Sequence, residues 1–279
     1  MAAPSTSEGA SRKRTVYPER RKPSFFWLLA PIALPAMGLL FKYDIKGSLP
    51  PTGPVILCGN HYSDLDPVAN GVGVWKLGRM PRFMAKASLF KVPVLGWVMR
   101  ASGQIPVERE RGANRSGAMS AAQQLIAADG LVIIYPEGTL TREPDYWPMR
   151  GKSGAVRLAL EHNIPIIPMA SWGAQEVMPR FEKKFRFRFR TPLHIRVGDP
   201  VDLSAWQGKH ASRTANQEAT EAVMREITAL LETIRGGTAP AELYDPVAHG
   251  ETEFGMPTGA AKPSASRRKR FGKRTKDSK

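Results

Sequence analysis

The chain has 279 residues, a formal net charge of +16 and 42% hydrophobic residues. That length holds one large domain or two small ones, and the apolar fraction belongs to a folded core rather than a disordered chain. A single cysteine, Cys58, excludes an internal disulfide framework and a cysteine-rich zinc site. No uninterrupted apolar run reaches the roughly 20 residues of a spanning helix, which excludes a polytopic membrane protein.

The positive charge is concentrated at the ends. Residues 1–24 carry six basic and two acidic side chains, and residues 262–279 carry nine basic side chains against Asp277 alone. Both segments are too polar to offset their chain entropy by burial, so residues 1–24 and 237–279 are expected to be basic disordered tails. Such tails are either solubilising or drawn to anionic lipid head groups.

Residues 25–41 (FFWLLAPIALPAMGLLF) carry no charge and contain Pro31 and Pro35. The only small-x-small site, Ala36-Met37-Gly38, is followed by more apolar residues, which argues against signal cleavage. A single span, with its basic flank before it, would place everything after residue 42 outside the cell. A monotopic anchor, two short helical pieces folded at the prolines over 25–45, keeps both ends at the cytoplasmic face of the cell membrane.

Behind this segment the pattern alternates. Residues 54–59 (PVILCG) read as a strand and residues 67–75 as a helix. Asp66 before Pro67 fits a helix N-cap. Residues 116–128 read as a helix, 131–135 (LVIIY) as a buried strand and 154–162 as a helix. Residues 164–170 (IPIIPMA) read as a strand whose prolines suit an edge or a sheet-end position. Phenylalanine and arginine alternate over 185–190, a period-2 strand with one basic and one aromatic face, and Val223, Ile227, Leu230, Leu231 and Ile234 share one face of a helix over 214–235. Strands alternating with helices give an α/β domain over residues 46–236.

Residues 59–67 (GNHYSDLDP) place His61 five residues before Asp66, directly after a strand. On one straight helix such residues diverge, so a contact between them requires a turn, which the strand-to-helix junction provides. An aspartate on one ring nitrogen fixes the tautomer and leaves the other nitrogen to accept a proton. Gly151-Lys152-Ser153 lacks the glycine that a phosphate loop needs five residues earlier, where Tyr146 stands. The remaining histidines show no metal-ligand spacing.

Three later segments follow His61-x4-Asp66 in order: GQIPVER at 103–109, YPEGT at 135–139 and IPIIP at 164–168. With these four blocks the chain resembles the 1-acylglycerol-3-phosphate acyltransferase family over about residues 50–200. The resemblance implies a single α/β domain, a mixed sheet flanked by helices, behind an N-terminal membrane-associated helical segment. It implies that His61 is the general base and Asp66 its orienting partner, with no enzyme nucleophile. The substrate hydroxyl then stands where a serine stands in a triad. It assigns the acceptor's phosphate to Arg109, with Lys86 as a second cation. Glu137, Gly138 and Thr139 match the third block. Glu137 either bonds the acceptor or braces its loop. Where many members carry arginine after the glutamate-glycine-threonine, this chain has Leu140, and Arg142 follows two residues later. Arg142 either meets the same phosphate or marks a different lysophospholipid or a glycolipid as acceptor.

The expected partners are a lysophospholipid acceptor, acyl-CoA or acyl carrier protein as thioester donor, and an anionic membrane surface. No cofactor, no metal and no specific nucleic acid are expected. The alternative from another class is a basic binding protein without catalysis, which leaves the four blocks unexplained.

Overall fold

The structure is a computed structural model and describes residues 25–107, 126, 129–182 and 184–251. Strands β1 (Phe41–Lys46), β2 (Val55–Gly59), β3 (Pro81–Lys86), β4 (Ile105–Val107), β5 (Leu131–Ile134), β6 (Ile166–Trp172) and β7 (Thr191–Val197) form one sheet in the order β1-β7-β6-β2-β5-β3-β4. All neighbours are parallel except β6 and β7, which run antiparallel. The helices are α1 (Phe26–Leu40), α2 (Asp66–Lys76), α3 (Leu95–Ala101), α4 (Gly154–His162), the single turn α5 (Ala174–Val177) and α6 (Arg213–Arg235).

The central strands are apolar on both faces because both are covered. Ile56, Cys58 and Val132 meet Val156, Ala159, Val223 and Ile227 of α4 and α6. On the other face Val55, Leu57, Ile133 and Ile195 meet Ala69 and Val72 of α2 and Met37 of α1. Each fully buried aliphatic side chain of this kind contributes about 1.5–3 kcal/mol. α2 lies close on the sheet because residue 73 is glycine: a Cβ there would collide with the end of the Ile195 side chain.

Several sequence expectations are corrected. The prolines do not divide the N-terminal segment. α1 runs continuously through Pro31 and Pro35. Four residues apart, they omit ladder bonds that stack on one helix face, so the other faces keep theirs. The sheet begins at Phe41, inside the segment expected to be anchor, because β1 pairs with β7. α1 has 15 residues, about 22 Å of helix against a hydrocarbon core of about 30 Å. No helix among the described residues is long and apolar enough to cross a membrane.

β6 is internal, between β7 and β2. Its Pro168 is accommodated because the antiparallel ladder starts one residue later, at Met169–Val197, while the Pro168 carbonyl accepts from Gly198 N. Residues 185–190 are not a strand. They lead into β7 with every side chain exposed, so the aromatic face is not buried. Leu65 holds the N-cap position of α2, and Asp66 is its first residue.

Residues 237–251, expected as tail, pack on the domain. Tyr244 bridges to Met149, Asp245 pairs with Arg150, and Glu251 pairs with Arg142. The N-terminal tail, the rest of the C-terminal tail and most of the helix expected at 116–128 lie outside the described residues.

Candidate active site

β2 delivers the chain to His61 at the carboxyl end of the sheet, the usual place for a site in an open α/β sheet. The turn that follows brings His61 Nδ1 to 3.0 Å from Asp66 Oδ2. The same oxygen accepts the main-chain N–H groups of Tyr62 and Ser63 at 2.6 and 2.8 Å. Asp66 is thus fixed as an acceptor by the turn that separates it from the histidine. With Nδ1 directed at Asp66, Nε2 is left to take a proton. The imidazole stacks on the Tyr135 ring at 4.3 Å, with the planes 14° apart.

The main chain of His61 is held as well. Its N–H donates to Glu137 Oε1 at 3.1 Å, and its carbonyl accepts from Thr141 N at 2.9 Å. Beside it, the Asn60 side chain accepts from Ser171 N and donates to Ser171 O, each at 2.8 Å. His61 is therefore held by bonds to the loop after β5 and, through Asn60, to the end of β6.

His61 lines a groove of about 610 Å³. Its walls come from α1 (Leu29, Ala33), α2 (Val68, Val72) and the β3–α3 region (Phe83, Met99), and they are predominantly apolar. An apolar groove with a few polar groups at one end suits a chain-bearing ligand whose reactive head is fixed.

A family model described as Acyltransferase matches residues 41–172. A chloroplastic 1-acyl-sn-glycerol-3-phosphate acyltransferase of Brassica napus is 29% identical over 50% of this chain and 40% of its own length. A 1-acyl-sn-glycerol-3-phosphate acyltransferase of Borreliella burgdorferi is 25% identical over 76% of this chain and 80% of its own. Over residues 41–172 the chain is similar to acyltransferases of this kind. The crystal structure of the 1-acyl-sn-glycerophosphate acyltransferase of Thermotoga maritima shares the fold, with a TM-score of 0.56 and 21% identity over 77% of this chain and 81% of that one. The match to the Brassica relative spans 40% of that protein's length.

Within this acyltransferase domain the third-block residues fall beside His61, but not in one role. Glu137 is a brace: both its oxygens are occupied, Oε1 by His61 N and Oε2 by Met149 N at 3.2 Å, and it is buried. That burial pushes its carboxyl up to about 8, against the opposing pull of the two N–H donors. Gly138, at φ +73°, turns the loop, and it and Thr139 are half-buried. Leu140 points inward. Arg142 does not present its guanidinium at the groove. It is buried and engaged by Glu251 Oε2 at 3.4 Å, because the loop turns inward after Leu140 and the 244–251 segment closes over it.

Lys86 ends β3, and Arg109 lies outside the described residues. Lys152, exposed, runs alongside Gly138: a Cβ at that glycine would lie 3.3 Å from the lysine's Cδ and Cε. Cys58 is fully buried, its side chain on the α4/α6 face, and burial pushes the thiol up. It is a core residue, not a nucleophile.

Tyr135, Asn60 and Ser171 were not singled out by the sequence. Tyr135 opens the third block, which is a usable signal. The Asn60–Ser171 pair spans 111 residues and leaves no local trace.

Proposed function

We propose that this chain is a membrane-associated O-acyltransferase that moves an acyl group from a thioester donor to the sn-2 hydroxyl of 1-acylglycerol-3-phosphate, giving phosphatidic acid. The observation that carries this reading is the His61–Asp66 pair, with His61 lining an apolar groove. The names of the relatives point to the same acceptor.

The steps follow from the geometry. The acceptor hydroxyl gives its proton to His61 Nε2 as its oxygen attacks the thioester carbonyl. Asp66, held by its other donors, stabilises the imidazolium through Nδ1–H without taking the proton. The tetrahedral intermediate collapses with loss of the C–S bond, and the imidazolium returns the proton to the departing thiolate. No acyl-enzyme is formed. The acyl chain occupies the groove between α1, α2 and α3, where Tyr135 also closes one side of the imidazole. Lys152 offers a cation beside the Glu137-Gly138 turn for the acceptor's phosphate.

The membrane side of the proposal rests on α1. It lines the groove with Leu29 and Ala33 while exposing Trp27, Leu28 and Ile32, so one helix serves both bilayer and acyl chain. This reading places the chain monotopically or peripherally at the cytoplasmic face, with acyl-CoA or acyl carrier protein as donor.

The test is a membrane-fraction assay offering lysophosphatidic acid and lysophosphatidylcholine in parallel with acyl-CoA, for wild type and His61→Ala. Turnover of lysophosphatidic acid alone, lost in the variant, is the expected result. Retained turnover in the variant overturns the mechanism, and turnover of lysophosphatidylcholine instead overturns the acceptor.

A further inference from the structure

Residues 184–190 read Lys-Phe-Arg-Phe-Arg-Phe-Arg. All seven are exposed, and Phe185, Phe187 and Phe189 are 50, 62 and 64% exposed. Three large rings left in water on one short loop are not what a water-facing surface requires. Nor is the loop loosely held. Arg186 N donates to Val177 O at 2.7 Å, and Arg190 N donates to Leu39 O, in the last turn of α1, at 2.9 Å.

The sheet topology places this loop. β7 is antiparallel to β6, so β7 starts at the end of the sheet where β6, β2 and β5 finish. β1 is parallel to β7, with Phe41 opposite Thr191, so α1 hands over to the sheet at that same end. His61, the C-terminal turn of α1 and the Phe/Arg loop therefore share one end of the molecule.

We infer that residues 184–190 are a second membrane-docking element, whose phenylalanines enter an anionic bilayer while Arg186, Arg188 and Arg190 stay at its phosphates. This rests on the membrane-surface part of the function proposed above and adds a contact separate from α1. Interleaved aromatic and basic residues suit the boundary of a charged bilayer, where each ring has hydrocarbon to enter and each guanidinium a phosphate within reach. Arg186 and Arg188 are paired with Glu182 and Glu176 at 3.3 and 3.0 Å, but all four side chains are substantially exposed. Such pairs are weak and exchange readily for lipid phosphate. A second copy of the chain is a poor occupant, because a two-fold contact would set each loop's cations against their duplicates. Docked at α1 and at this loop, the enzyme turns the His61 end of its sheet toward the bilayer, from which a lysophospholipid arrives.

The test uses the full chain with Phe187→Cys, labelled with a nitrobenzoxadiazole fluorophore. Cys58 is buried and stays unlabelled in the folded protein. Co-sedimentation and probe emission are read together on phosphatidylcholine vesicles and on vesicles that also contain phosphatidylglycerol. The expected result is a blue shift with a several-fold rise in emission on the anionic vesicles, quenched by brominated acyl chains. Arg186→Glu with Arg188→Glu should lower partitioning onto those vesicles by about thirtyfold or more, with turnover of detergent-dispersed substrate unchanged. Sedimentation with an unchanged probe overturns this inference and leaves the membrane reading of α1 standing. Failure to sediment overturns both. An equal response on pure phosphatidylcholine overturns the anionic lipid. A response without lipid that grows with protein concentration assigns the loop to self-association instead.

Discussion

The turn from Asn60 to Asp66 and the loop from Lys184 to Arg190 are of similar length and lie at the same end of the sheet, yet they are built oppositely. In the first, Asn60, Tyr62, Ser63 and Asp66 are buried, and one carboxylate oxygen gathers two main-chain N–H groups and an imidazole. In the second, every side chain is exposed, and the main chain is held at Arg186 and Arg190. Proton transfer needs a ring fixed to within fractions of an ångström, so its turn is wired by buried side chains bonded to main-chain groups. Meeting a fluid surface needs side chains that can adapt, so only the backbone is anchored. The difference teaches that rigidity in this fold is local and follows the chemistry asked of each loop.

The comparison breaks most decisively at the histidine. His61→Ala should lower turnover by about a thousandfold or more while circular dichroism and melting stay near wild type, since general-base catalysis is worth roughly 10²–10⁴. A fall in helix content equal to the loss of activity would mean that the ring is structural. Asp66→Asn comes next, with a loss of about a hundredfold or more in kcat. One oxygen takes all three donors, so the amide can keep its oxygen there; what is lost is the negative charge facing the imidazolium, and melting should stay near wild type.

Two substitutions probe the substrate walls. Lys152→Met should raise KM for lysophosphatidic acid about tenfold with kcat little changed, as expected for one charge-assisted bond. An unchanged KM would remove that lysine from the phosphate site. Gly71 lines the groove, where a Cβ would sit 3.5 Å from the Phe83 ring. Gly71→Leu therefore shortens the space for the chain, and transfer of long acyl groups relative to short ones should fall about tenfold, at about 0.8 kcal/mol per displaced methylene. A donor series in acyl length reads this directly.

The smallest effect concerns the brace. Burial raises the Glu137 carboxyl from 4.5 to about 8. Between those values the folded protein keeps a proton that the unfolded chain has released, so stability falls as pH rises through that window. Glu137→Gln should be less stable than wild type at the acid end and show a flatter slope, in urea unfolding at about pH 5 and about pH 9. A wild-type slope of the opposite sign would mean that the two N–H donors outweigh burial.

What the sequence makes legible is what is local. His61 and Asp66 lie five residues apart, and the junction of an apolar strand with a proline-led helix already implies the turn that joins them. β2 and β5 are β-branched runs covered on both faces, and the apolar stripe of α6 is plain from its spacing. Long-range bonds are different. Glu137 reaches His61 across 76 residues, and nothing in either neighbourhood distinguishes a brace from a substrate ligand. Period 2 at 185–190 misled because alternation describes a chain half-buried in any boundary, a bilayer included, and not only a sheet. Pro168 pointed to an edge or a sheet end, yet β6 is internal, because the antiparallel ladder with β7 begins only after the proline. Residues 237–251 are rich in glycine, proline and charge, and their attachment comes from Tyr244, Asp245 and Glu251, which no periodicity reveals.

That last attachment orders events during synthesis. α1 and β2 precede most of the sheet in the chain and are made before it. The loop carrying Arg142 and Arg150 closes only when Asp245 and Glu251 emerge, about a hundred residues later. In a growing chain the loop beside His61 thus stays open until the segment that closes it has been made.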